Sequence, residues 1–155
     1  MKKFLIFLCL IPTFIYSADN QSLSQFMLRN YDWKNDGSHI VHVGTRCATV
    51  MDAAVWRYSA DNRAEVQKMA DSFKQLGDMY LFSTAALAEK KVNFTSEGYT
   101  KLYKSWMETY KEMAEENAIK YNDFYHGMLG EDYVTCTEKS NIEFYKSLLE
   151  AMANQ

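Results

Sequence analysis

Val66-Gln-Lys-Met-Ala-Asp-Ser-Phe73-Lys-Gln-Leu-Gly77-Asp-Met-Tyr80-Leu-Phe-Ser-Thr84-Ala-Ala-Leu-Ala88 is the stretch whose reading decides the fold. Val66, Met69, Ala70, Phe73, Leu76, Gly77, Tyr80, Leu81, Thr84, Leu87 and Ala88 recur at helical spacing and make one continuous stripe. Asn62, with Glu65 three residues on, reads as a capping box that starts this helix, which extends over about 63–90. Small residues fall seven apart at its centre: Ala70, Gly77 and Thr84. A glycine inside a helix costs about 1 kcal/mol against alanine, so Gly77 implies close approach of something bulky.

The following helix supplies that bulk. Thr95 or Ser96 caps it, and it runs to about 128. Tyr99, Leu102, Tyr103, Trp106, Tyr110, Met113, Ala114, Tyr121, Phe124, Tyr125 and Met128 share one face, with charged residues opposite. The short loop between the two helices makes them antiparallel neighbours, with Gly77 facing Trp106 and Tyr110. An earlier helix covers about 44–59, and Gly130-Glu-Asp132 ends the aromatic one. A last helix carries Ile142, Tyr145, Leu148, Leu149 and Met152, capped at Asp132 or Ser140. The expected fold is all-α: an antiparallel four-helix-bundle-like domain over 39–155. An irregular segment, 18–38, straps it through Phe26, Met27, Leu28, Tyr31 and Trp33. The only proline in the chain is Pro12, which fits a helical body.

Residues 1–17 read as a signal peptide. Lys2 and Lys3 form a positive start, an apolar run from Phe4 to Tyr16 follows, and the small pair Ser17-Ala18 closes it. The run is too short for a spanning helix, which needs about 20 apolar residues. The expectation is a periplasmic or secreted protein, cut after Ser17, with no stable membrane anchor. Cleavage takes the 17 basic residues to 15 against 20 acidic ones, for a net charge near −5. An acidic surface argues against nucleic acid as a partner.

Two of the three cysteines, Cys47 and Cys136, remain after cleavage, and an oxidising compartment pairs them. A loop of that length stabilises by roughly 4 to 5 kcal/mol in the chain-entropy model. Both cysteines sit early in their helices, which an up-down bundle places at opposite ends. Either the first helix is short and oblique, or 129–138 run along the bundle before the last helix begins.

Candidate chemistry is sparse. His39 and His42, near Cys47, form a candidate metal cluster only if their segment is helical, and Gly37 and Gly44 on either side argue against that. The competing reading is two packed histidines, one of them near Trp33. Asp123-Phe-Tyr-His126 has the carboxylate-x-x-His form of a di-iron ligand pair but lacks a helical second copy. Tyr99, Tyr103, Trp106, Tyr110, Asn117 and Tyr121 either fill the core or line a partly polar pocket for a small apolar or aromatic ligand. No nucleophile constellation, phosphate loop, Cys-x-x-Cys pair or cofactor motif stands out. Three functions follow: an exported protein that binds a ligand or another protein, a metal-dependent protein or enzyme using His39 and His42, and a periplasmic chaperone-like protein. The last rests on size, signal and bridge alone, and the first is preferred.

Overall fold

The computed structural model describes residues 21–92 and 94–154, so the signal segment lies outside the described residues. All regular structure among them is helical: α1 (Leu23–Arg29), a 3-10 turn (Trp33–Asn35), α2 (Gly37–Tyr58), α3 (Ala64–Lys91), α4 (Ser96–Tyr121), α5 (Gly127–Thr137) and α6 (Lys139–Ala153).

α2 is the axis of the molecule. Every residue from Ile40 to Met51 is buried. The helix begins a full two turns before the expected 44. Asp36 accepts hydrogen bonds from the Ser38 and His39 N–H groups at 2.8 and 3.0 Å, and this cap carries the helix through Gly44. Gly44 marks the closest helix approach. A Cβ there would overlap the Thr84 methyl of α3 and lie 2.6 Å from the Tyr145 ring of α6.

α3 packs antiparallel along α2, and here the expected neighbour of Gly77 is wrong. Gly77 faces α2, where a Cβ would lie 3.2 Å from both Met51 Cβ and Asp52 Oδ1, and it does not meet Trp106 or Tyr110. α3 and α4 diverge after their short connection, and each packs chiefly on α2. Sequential helices need not pair, and α2 offers enough apolar surface to take both. The expected Asn62 capping box does not form either. Arg63 occupies the cap position without a side-chain cap bond, and the turn before it is closed by Asp61, which accepts from the Arg63 N–H at 3.0 Å.

α4 ends earlier than expected, at Asn122, whose φ of 50° is the left-handed conformation that asparagine tolerates at a helix end. Gly130, expected to break the helix, lies inside α5. A Cβ at Gly130 would overlap the Tyr125 carbonyl oxygen, so the glycine allows α5 to sit against the preceding turn. The stretch beyond 129 is therefore helical up to Thr137, and Glu138 separates α5 from α6. The bridge links Cys47 and Cys136 across Cα atoms 5.3 Å apart, because α5 lies beside α2. Within the N-terminal segment, which is helical over Leu23–Arg29, Leu23 is wholly buried and Trp33 nearly so, Trp33 packing edge-on against Phe144 at 5.4 Å, whereas Leu28 and Tyr31, expected to pack on the bundle, stand in solvent.

Candidate functional site

Two places on α5 concentrate what the fold has to offer, one inside and one outside. The inner place is a closed polar node. Asp132 and Arg46 are both fully buried and form an ion pair. Arg46 also donates through Nε to the Tyr110 hydroxyl at 2.9 Å and through Nη1 to the Gln21 carbonyl at 3.1 Å. Its guanidinium stacks over the Trp106 ring at 4.2 Å. Tyr110 in turn donates its hydroxyl to Asp132, whose other oxygen accepts from the Leu23 N–H at 2.6 Å.

Burial pushes the Asp132 carboxyl above its ordinary range, against the opposing pull of Arg46, the Leu23 N–H and Tyr110. Burial opposes the charge on Arg46 too, but Tyr110 and Asp132 outweigh it and hold the guanidinium firmly protonated. Asp132 thus accepts three hydrogen bonds and exposes no surface to solvent. The node ties the N-terminal strap, α2, α4 and α5 together; it is built for holding.

The residues singled out by sequence divide among several places. Trp106 and Tyr110 meet, with ring centroids 5.5 Å apart, in the wall of the buried node. Tyr99 shares a hydrogen bond of 2.6 Å with Thr84, and Tyr103 donates to half-buried Asp52. Asn117 and Tyr121 lie at the far end of α4. There the Asn117 amide donates to the Phe124 and His126 carbonyls at 3.1 and 2.9 Å, and Tyr121 stacks on His126 at 3.8 Å. Tyr121, expected on the core face, is exposed, since Asn122 turns the chain before that face reaches the core. The six residues do not converge on a single cavity among the described residues.

His39 and His42 share α2 after all. His42 is buried beside Phe26, at 4.5 Å, and Trp106, at 6.0 Å; it does not pack near Trp33 as expected. Burial, with smaller contributions from Arg46 and His39, lowers its pKa to about 3. His39 packs edge-on against Phe26 at 5.2 Å. Among the described residues no three of His, Cys, Asp and Glu are grouped so as to hold a metal ion.

The outer place is an open groove of about 590 Å³ on the solvent side of α5. Tyr125, Tyr133 and Val134 form its apolar floor, and Ser24, Glu131 and Glu138 its polar edge. Val134 is 60% exposed. Rings beneath keep the floor rigid: Tyr125 meets Tyr133 at 4.4 Å, Tyr133 meets Phe73 at 5.9 Å, and Phe73 stacks on Tyr58 at 5.9 Å. Asn122 and Gly127, both at positive φ, shape the loop that delivers Tyr125 to it. The opposite face of the same helix is locked inward by Leu129, Asp132 and Cys136.

No protein-family model, curated protein or solved structure matches the chain. No helix among the described residues is long and apolar enough to cross a membrane.

Proposed function

We propose that this chain is an exported protein, periplasmic or secreted after removal of residues 1–17, whose bundle-like helical body acts by holding a protein partner in the α5 groove. The observation that carries the reading is the two-sidedness of α5. One face is fastened by a disulfide and a buried ion pair, while the other presents Val134, 60% exposed, in an apolar floor shared with Tyr125 and Tyr133. Exposed apolar surface on a firmly anchored element is what interaction sites consist of, and the anchoring lowers the ordering cost of binding. The Arg46–Asp132–Tyr110 node is closed on itself, whereas the groove is open to solvent.

A photo-crosslinking residue placed at Val134 in the native host tests this, with the same residue at exposed Glu115 as control. The expected result is a discrete protein adduct from position 134 that position 115 does not give. Equal or absent adducts from both would overturn the reading. N-terminal sequencing of protein recovered outside the cytoplasm tests export, with Ala18 as the expected first residue.

A further inference from the structure

We propose that the partner held in the groove is a second copy of this chain, docked about a two-fold axis that passes between the tip of α1 and the groove. The proposal rests on the groove being an interaction surface. α1 runs beside α5, tied to it by the Leu23 N–H on Asp132, and its Ser24 belongs to the groove edge. Leu28 lies four residues beyond Ser24, hence on the same face of the helix one turn on, and it is 81% exposed. Tyr31, just past the helix, is 93% exposed. Arg29, between them, is exposed and has no ion-pair partner among the described residues. The same is true of Glu131 and Glu138 on the groove edge.

α1, which lends Ser24 to the groove edge, and α5 thus carry the two halves of a complementary pair. The half on α1 is an apolar knob beside a cation. The half on α5 is an apolar groove beside two carboxylates. A two-fold axis applied to such a pair sets each copy's knob against the other's groove and satisfies both at once, which closes the assembly at two. Charge favours that register. The processed chain is acidic, near −5 without Lys2 and Lys3, so most juxtapositions of two copies repel, while this one brings Arg29 to Glu131 and Glu138. The knob is also held in shape before docking. Ser22 caps α1 through the Gln25 N–H, and the Asn30 amide donates back to the Phe26 carbonyl at 2.8 Å.

Sedimentation velocity of the processed, oxidised protein over a concentration series provides the test. The wild type should show a concentration-dependent dimer. Val134→Lys and Arg29→Glu should each raise the dimer dissociation constant by at least about tenfold, equivalent to about 1.4 kcal/mol. Arg29→Glu combined with Glu131→Lys and Glu138→Lys should recover most of that loss. All these positions are on the surface, so unchanged thermal unfolding of the diluted variants verifies that they fold. A wild type that stays monomeric up to about 1 mM, the weak end of specific association, overturns the proposal. A dimer indifferent to both single substitutions overturns it as well, because the contact then lies elsewhere. If the purified chain is monomeric while position 134 still crosslinks to another protein in the host, the second copy is refuted and the groove reading stands. If that crosslink is absent too, both fall.

Discussion

α2 and α4 are both long helices, of 22 and 26 residues, and they face opposite situations. α2 is enclosed on every side between Ile40 and Met51. α4 buries only Tyr99, Trp106, Tyr110 and Ala114 and leaves its other faces to water. The difference governs what each helix must do with its polar residues. On α4, Lys104, Ser105 and Glu108 stand in solvent and need nothing from the protein. On α2, Thr45, Arg46 and Thr49 are wholly buried, and each must find its partner inside. Thr45 donates back to the Val41 carbonyl at 2.7 Å and Thr49 to the Arg46 carbonyl at 2.8 Å, while Arg46 reaches across to Asp132. On an enclosed helix the polar side chains turn back to carbonyls of their own helix, as Thr45 and Thr49 do, or reach another element, as Arg46 does; an amphipathic helix leaves them in the solvent.

Removing one member of the buried pair should break this contrast most severely. Asp132→Ala strands Arg46 in the interior and takes the acceptor from Tyr110 and the Leu23 N–H, and a loss of about 3 to 5 kcal/mol is expected. Urea unfolding of the oxidised protein measures it. A loss under about 1 kcal/mol would mean that water reaches the node. Replacing both ends, with Arg46→Met and Asp132→Leu together, should cost less than the single change, since two apolar groups leave no orphaned charge.

Gly44→Ala should come next, at about 1 to 3 kcal/mol, because the new methyl overlaps Thr84 and crowds Tyr145, both rigidly held. Alanine's better helix propensity, about 1 kcal/mol, works in the other direction. A rise in melting temperature would show that α2 and α6 can move apart there.

His42 sharpens the comparison through pH. Its folded pKa is lowered to about 3 from 6.5 by burial, so the unfolded chain binds its proton first as pH falls. The stability His42 confers is complete above about 6.5 and is lost progressively between there and about 3, at up to about 1.4 kcal/mol per pH unit. The free-energy difference between wild type and His42→Phe should change with pH at that slope from 6.5 downward. A pH-independent difference would place His42 in contact with water. At the small end, Ile119→Lys on α4, at a position 88% exposed, should change stability by less than about 0.5 kcal/mol.

The same contrast explains what could be read in advance. The amphipathic stripe of α4 was legible as far as Tyr110 and Ala114, because one wet face makes the period visible. α2 was half missed, since a helix buried all round has no polar face to mark its period, and Gly37 and Gly44 look like interruptions when the tight approaches they permit are unknown. The pairing of Cys47 with Cys136 was legible from the cysteine count together with the expected removal of Cys9 and an oxidising compartment. Arg46 and Asp132 were not, since charged residues read as surface by default. A signal did exist. Arg46 adjoins Cys47, and Asp132 lies four residues, one helical turn, before Cys136. The bridge therefore brings opposite charges together, and using it as a distance restraint would have found the node. The α5 groove left no mark in composition, because Tyr133 and Val134 are ordinary residues for a core helix and only the fold reveals that they point outward.

The bridge also determines how the molecule would bear a mechanical load. Its two sulfurs join residues separated by 89 positions, so α3 and α4 lie wholly inside a covalent ring, while α1 and α6 hang outside it as tails. Tension applied at the two ends enters through α1 and the first half of α2, crosses the sulfur–sulfur bond, and leaves through the end of α5 and α6. The ring between them carries none of it. Stretched in the oxidised state, the chain withholds a contour of roughly 300 Å, at about 3.4 Å per residue, and releases it only when the bridge is reduced. With the bridge intact, a pull strong enough to peel away α6 and the strap leaves α3 and α4 outside the line of force.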